Sequence, residues 1–333
     1  MTFREDFFRM LDGKTPVSDI PYYSLDMAPA SEPGGMALIM PDCFGMAAMA
    51  ATGKNLWGVP YKIDEFGTGF MPAPGEFILK DVTKWRDVVK APLDDSYDWA
   101  LAAERDLAMQ KWNPETQVSA SFFALVGGFF ISLSSFLGFE NTMLSMYDEP
   151  EAVHELLDYL CDYDIWLLDN FLDNYKGIDI IGMGDDNATE INPFISYDMF
   201  KEFLLPRYKR VADKIKEHDK IVLYHNCGRC EDFMDDFVDI GVQVWNCATD
   251  RNDLNAFKAK HGNKIILEYT PRVFPDAPEE VTRQQVRDDI DKFAAGGAFI
   301  WLVNSMTNNP EIGGNLSRWI TDEVSTYGKG YYA

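Results

Sequence analysis

Between residues 179 and 305 five short apolar runs, each with a polar ending, alternate with four amphipathic helices. The runs lie at 179–183, 221–224, 242–245, 264–267 and 298–303. They end in Gly184-Asp185-Asp186, His225-Asn226-Cys227-Gly228, Asn246-Cys247, Glu268-Tyr269 and Asn304-Ser305. Helical spacing follows at 196–217, 231–240, 253–260 and 282–295, with Pro206 placed to kink or break the first of these. Short apolar strands alternating with amphipathic helices mark parallel β/α units. A doubly wound sheet is the rival architecture, but it usually carries a glycine-rich phosphate loop, and neither G-x-G-x-x-G nor a P-loop occurs. The predicted fold is therefore α/β, a single (β/α)8 TIM barrel over residues 1–333, an ordinary length for that fold. Residues 1–95 are expected to form an N-terminal extension and the first barrel elements. They begin with a helix and a loop at 14–21, continue in long loops and short strands across 31–80, and lead to a helical stretch at about 95–112.

Charge and cysteine usage narrow the function. The formal net charge of −24 argues against a nucleic-acid partner, whose phosphates need a basic face, and against anionic lipid. Such a surface serves solubility first and the docking of a carrier protein second. The uncharged stretch from Thr116 to Phe139 is long enough to span a bilayer, but its glycines and serines and the lack of a flanking basic cluster fit a buried strand and helix. No apolar signal core follows Met1, so a cytoplasmic protein is expected, and its five cysteines are not expected to form a disulfide framework.

In a barrel all the strand ends share one rim, the rim that holds active sites. Each ending alone has an ordinary explanation: Asp185 or Asp186 capping a helix, Asn304 holding a turn. Together they predict a site. His225 and Cys227 are two apart in an extended segment and point to the same side, and imidazole and thiolate are both preferred zinc donors. The plain alternative is a buried histidine beside an inert cysteine. Cys247 at the next strand end is the first candidate to complete the set, followed by Glu268 and Cys230. Asp185, Asp186 and Glu190 are candidates for acid/base work or for orienting ligands. The C-x-x-C of Cys227 and Cys230 lacks a thioredoxin-like context. His154, His218 and His261 read as structural residues of helices or helix ends, Cys161 as core, and Cys43 is ambiguous.

With these residues in view, the chain resembles the uroporphyrinogen decarboxylase superfamily, and within it the zinc- and corrinoid-linked methyltransferases. The likeness rests on residues 4–13 (Arg4 to Gly13), 81–85 (Asp81 to Trp85), Gly138-Phe-Glu-Asn141, Asp148-Glu-Pro150, Gly184-Asp-Asp186, Pro206-Arg-Tyr208, His225-Asn-Cys-Gly228 and Gly296-Gly297. It implies a (β/α)8 barrel and a zinc ion on His225 and Cys227. The implied activity is methyl transfer between a small methylated substrate, such as an aryl methyl ether, or a thiol and a corrinoid supplied by a partner protein. Two departures matter. The branch takes a further cysteine from its last strand, and residues 302–306 (Leu302 to Met306) contain none. The decarboxylase uses N-terminal arginines, and no arginine occurs between Arg9 and Arg86. The alternatives are a metal-free lyase using the same rim, and a non-catalytic protein with a closed zinc site on His225, Cys227, Cys230 and Cys247.

Overall fold

The computed structural model describes residues 2–16, 18–25, 36–63, 70–108, 112–122, 127–271, 276–305, 307 and 309–333. Among these residues ten strands follow one another: β1 (Tyr22–Ser24), β2 (Met36–Ile39), β3 (Tyr61–Ile63), β4 (Phe70–Pro72), β5 (Val118–Phe122), β6 (Ile180–Gly184), β7 (Ile221–Asn226), β8 (Val244–Cys247), β9 (Ile266–Tyr269) and β10 (Phe299–Val303). Eight of them form one parallel sheet in the order β1-β10-β9-β8-β7-β6-β5-β2. Its edge strands, β1 and β2, lie side by side without a ladder between them. The result is a nearly closed (β/α)8 barrel, as the pattern predicts. β3 and β4 form a separate antiparallel hairpin. The uncharged stretch resolves into β5 and the helix Phe129–Leu137. Among the described residues no helix is long and apolar enough to cross a membrane.

Period-two alternation divides the strands between two cores. Inside the barrel, Ile180, Ile221, Leu223, Val244, Ile266 and Ile300 pack together. The residues between them, such as Ile181, Val222, Tyr224, Trp245, Leu267 and Trp301, face the helix layer and join a larger cluster there. The N-terminal helix Phe3–Leu11, started by a capping box between Thr2 and Glu5, adds Phe7 and Met10 to the inner cluster. It is clamped by Arg4, whose guanidinium donates to both carboxylate oxygens of Asp179 at 2.5 and 2.6 Å. Asp179 immediately precedes β6, so this helix lies against the N-terminal end of the strands, opposite the rim that carries the polar endings.

The helix predicted over 196–217 is irregular where expected. A helical turn at Tyr197–Met199 runs into a π-helical segment, Phe200–Leu204, and a regular helix resumes at Leu205–Glu217. Pro206 falls in the first turn of that last helix, where a missing N–H costs nothing. The three histidines read as structural are so placed. His154 stacks on Phe203, His218 bonds Asp169 at 2.8 Å beyond a helix end, and His261 ends the helix Leu254–His261. Cys161 is fully buried in the helix Pro150–Asn174.

Candidate metal centre at the barrel mouth

The sequence places His225 as the fifth residue of β7, one step above Leu223 on the inner face. In register it sits beside Gly184 of β6 and Asn246 of β8. Gly184 leaves room for it: a Cβ there would lie 3.3 Å from the His225 Cβ. Cys227 follows as the chain leaves the strand. Gly228 then turns with φ +92°, close enough to the Ala188 and Thr189 carbonyls that a Cβ would sit 2.6 Å from each. Asn252 secures this turn, accepting from the Cys230 and Glu231 N–H groups and donating to the Gly228 carbonyl.

Asp186, His225 and Cys227 converge, their ligand atoms all within 4.8 Å of one another. The Cys227 sulfur is 3.4 Å from His225 Nε2, and Asp186 Oδ1 is 3.6 Å from the same nitrogen. Ligands on a tetrahedral zinc, with bonds of about 2.0–2.3 Å, stand roughly 3.3–3.8 Å apart. The two separations from Nε2 therefore suit a zinc-sized ion, and the oxygen, nitrogen and sulfur donors suit zinc's borderline softness. Asp186 also accepts from the Cys227 N–H at 2.9 Å, so the carboxylate and thiol are tied together through the backbone. Cys227 is exposed, and a ligand from solution can reach the cluster. Burial pulls the His225 pKa down, but the Cys227 sulfur bonded to it, Asp186 and Asn246 outweigh that and push it up to about 10.

Behind His225 runs a buried polar chain. Its Nδ1 meets Asn246 Oδ1, Asn246 Nδ2 donates to Glu268 Oε1 at 2.8 Å, and the Tyr23 hydroxyl donates to Glu268 Oε2 at 2.7 Å. Burial raises the Glu268 carboxyl to about 7, against the opposing hydrogen bonds from Tyr23 and Asn246. Tyr23 and Asn246 were not singled out by sequence. Asn246 was visible as a polar strand ending, but the register that sets it against His225 was not.

Other expected site residues are placed differently. Cys247 pairs in register with Asn226, not His225. Its side chain packs with Cys230 and Trp245 in the helix-facing cluster, where burial raises both thiols far above their usual range. Strand parity thus sets Cys247, the first candidate for third ligand, apart from the cluster of Asp186, His225 and Cys227, and Cys230 is equally buried on that side. Glu268 is on the inner face but reaches His225 only through Asn246. Asp185 is turned away into the protein. Its carboxylate accepts from the Phe130 and Ile131 N–H groups at 2.7 and 2.9 Å and from the Tyr208 hydroxyl at 2.5 Å, which caps the helix Phe129–Leu137. Burial, against those three bonds, raises its pKa to about 7. Glu190 is exposed and paired with Arg251 at 2.7 Å.

Comparison with known proteins follows this geometry. A methyltransferase from Methanosarcina mazei superposes on 98% of this chain and 99% of its own with a TM-score of 0.63 at 13% identity, a likeness of fold. A β-(1,4)-mannanase from Podospora anserina aligns over 99% of this chain and 68% of its own, but at a TM-score of 0.43 and 11% identity it carries no argument. No curated protein sequence matches. The family model described as uroporphyrinogen decarboxylase (URO-D) matches residues 64–302, most of the chain and all of the metal-site candidates. The chain belongs to the uroporphyrinogen decarboxylase family.

Proposed function

We propose that this protein is a zinc-dependent methyltransferase, with Asp186, His225 and Cys227 as the three metal ligands and a corrinoid on a partner protein as the other methyl carrier. The observation that carries the reading is the meeting of carboxylate, imidazole and thiol at the mouth of the barrel, with the thiol 3.4 Å and the carboxylate 3.6 Å from the imidazole nitrogen. It is supported by the family and by the methyltransferase that shares the fold. Three protein ligands leave one position for substrate. A zinc ion bound there supplies Lewis acidity toward the oxygen or sulfur that bears or receives the methyl group. The protein's own residues do the rest. His225 Nε2 and Cys227 Sγ present lone pairs, and Asp186 adds an oxygen donor where the methyltransferase branch uses a second cysteine. The barrel rim holds the three at fixed spacing. A small methylated compound, such as an aryl methyl ether, or a thiol is the substrate class. Arg229 and Arg251, in the loops after β7 and β8, are paired with Glu231 and Glu190, so neither is free to clamp a polycarboxylate.

The test combines metal analysis with turnover. The purified protein should hold about one zinc per chain. With reduced corrinoid carrier and a panel of methyl ethers and thiols it should form or consume methyl-cobalt, lose this activity to chelator and regain it with zinc. Decarboxylation of uroporphyrinogen at a catalytic rate, indifferent to chelator, would return the protein to the metal-free lyase reading.

A further inference from the structure

The buried chain behind the metal cluster has a direction, and the direction is informative. Tyr23 comes from β1, Glu268 from β9, Asn246 from β8 and His225 from β7. The chain thus crosses the inside of the barrel from one sheet edge toward its centre. All three residues behind His225 are buried, with relative exposures of 4% for Tyr23, 4% for Asn246 and 0% for Glu268. Three polar side chains set into this apolar barrel core are costly unless each finds its partner.

Each does, and the pairing leaves little choice. Glu268 receives the Tyr23 hydroxyl on one oxygen and the Asn246 amide nitrogen on the other. A primary amide has one oxygen and one nitrogen. With its nitrogen committed to Glu268, Asn246 turns its oxygen to His225 Nδ1. An oxygen acceptor requires a proton on Nδ1, so the neutral ring must keep its lone pair on Nε2. Nε2 is the nitrogen that faces Cys227 and Asp186.

We infer that Asn246, Glu268 and Tyr23 are positioning residues that hold His225 as its Nδ1–H tautomer, with Nε2 aimed at the metal. The inference rests on the metal site proposed above and assigns Glu268 a role one residue removed from the ion. Outer partners of this kind fix the ring and tautomer of a metal-bound histidine, and their loss typically costs about 10- to 100-fold in metal affinity.

The experiment measures zinc affinity of the full chain by competition with a chromophoric chelator. It also reads the tautomer of His225 in the zinc-loaded protein by nitrogen-15 NMR, which is practical because the chain has only four histidines. Asn246→Leu and Glu268→Leu should each weaken zinc binding by about 10- to 100-fold, and Asn246→Leu should broaden or shift the Nδ1–H signal of His225. Glu268→Gln is the discriminating variant. Its amide oxygen can still accept from Asn246 while its nitrogen donates to the Tyr23 oxygen, so affinity and tautomer should be close to wild type. A direct zinc ligand would not survive that change. Tyr23→Phe should show the smallest loss. Circular dichroism on each variant separates an unfolded barrel from a folded one with a weakened site, and Glu268→Gln and Tyr23→Phe serve if the leucine variants do not fold.

Wild-type protein that binds no zinc overturns the metal reading and this inference with it. Wild-type affinity in folded Asn246→Leu and Glu268→Leu overturns only the positioning role. So does a Glu268→Gln loss as large as that of Glu268→Leu, which would make Glu268 a ligand. A His225 signal with the proton on Nε2 in the zinc-loaded wild type also overturns it.

Discussion

The strand ends that close the barrel mouth have two faces, one residue apart and chemically unlike. On the inner face, His225, Asn246 and Glu268 are linked across three adjacent strands and open at one end to Asp186 and Cys227. On the outer face, Asn226, Cys247 and Tyr269 turn toward the helices. There the polar side chains hold structure: the Asn226 amide nitrogen donates to the Asp185 carbonyl and to Asn187 at 2.7 and 2.5 Å, and the Tyr208 hydroxyl donates to Asp185. Neighbours in sequence thus serve different ends. Asp185 anchors a helix, and Asp186 faces the solvent side with the thiol. The difference teaches that residue type nominates a candidate ligand, and the parity of the strand decides which face it reaches.

The sharpest way to break this comparison is to remove an inner-face donor. His225→Ala or Cys227→Ala should abolish stoichiometric zinc, and Asp186→Ala should weaken it by a similar order, while thermal melting shows a folded barrel, because a chain of this size has its own core. Metal analysis together with a melting curve checks both halves. Loss of folding in all three variants would point to a structural zinc.

Next in size is the contrast between adjacent aspartates. Asp185→Ala strips two helix N–H groups and a buried tyrosine hydroxyl of their acceptor, so it should cost about 3 kcal/mol of stability. Asp186→Ala should cost about 1 kcal/mol or less, since its carboxylate is partly exposed. Chemical denaturation of the two metal-free variants gives the comparison directly, and equal losses would erase it.

A third prediction uses pH. Asp164 is buried in the helix layer, where desolvation outweighs its bond from the Gly127 N–H and raises its pKa to about 8. The folded state therefore binds this proton more tightly than the unfolded chain. Its contribution to stability is full below about pH 4 and is lost as pH rises toward 8, at up to about 1.4 kcal/mol per pH unit. Asp164→Asn keeps an acceptor for Gly127 but cannot ionise. Its melting temperature should gain on wild type steadily between about pH 5 and pH 8. A constant difference across that range would show that Asp164 is ionised throughout.

The smallest expected effect is on the outer face. Cys247→Ser and Cys230→Ser should leave zinc affinity within about twofold of wild type, at a stability cost of about 1 kcal/mol each. A loss of metal in Cys247→Ser alone would restore it to the ligand set.

Much of this was legible in advance. The five apolar runs with polar endings foretold β6 to β10 to within a residue or two, because strands buried on both faces must be nearly continuous in apolar residues. The His-x-Cys spacing was readable because residues two apart in an extended segment share a side. What could not be read was register between strands. Nothing local says that His225 lies beside Asn246 and that Cys247 is paired with Asn226. Nor does the pair Asp185-Asp186 reveal which carboxylate turns inward to meet the N-terminus of the helix Phe129–Leu137, since that helix lies some fifty-five positions away.

The helix at the N-terminal end of the strands carries a consequence for how the barrel is assembled. Met10 Sδ accepts from the Phe299 N–H at 3.4 Å, 289 positions along the chain, and among the described residues the strand hydrogen-bonded to β1 is β10. During synthesis Phe7 and Met10 emerge long before the strands that bury them, and closure waits for the last one. Loop-closure entropy over such separations makes this the slow event in folding. An acidic surface that keeps half-built barrels apart has its greatest use in that interval, before the native state exists.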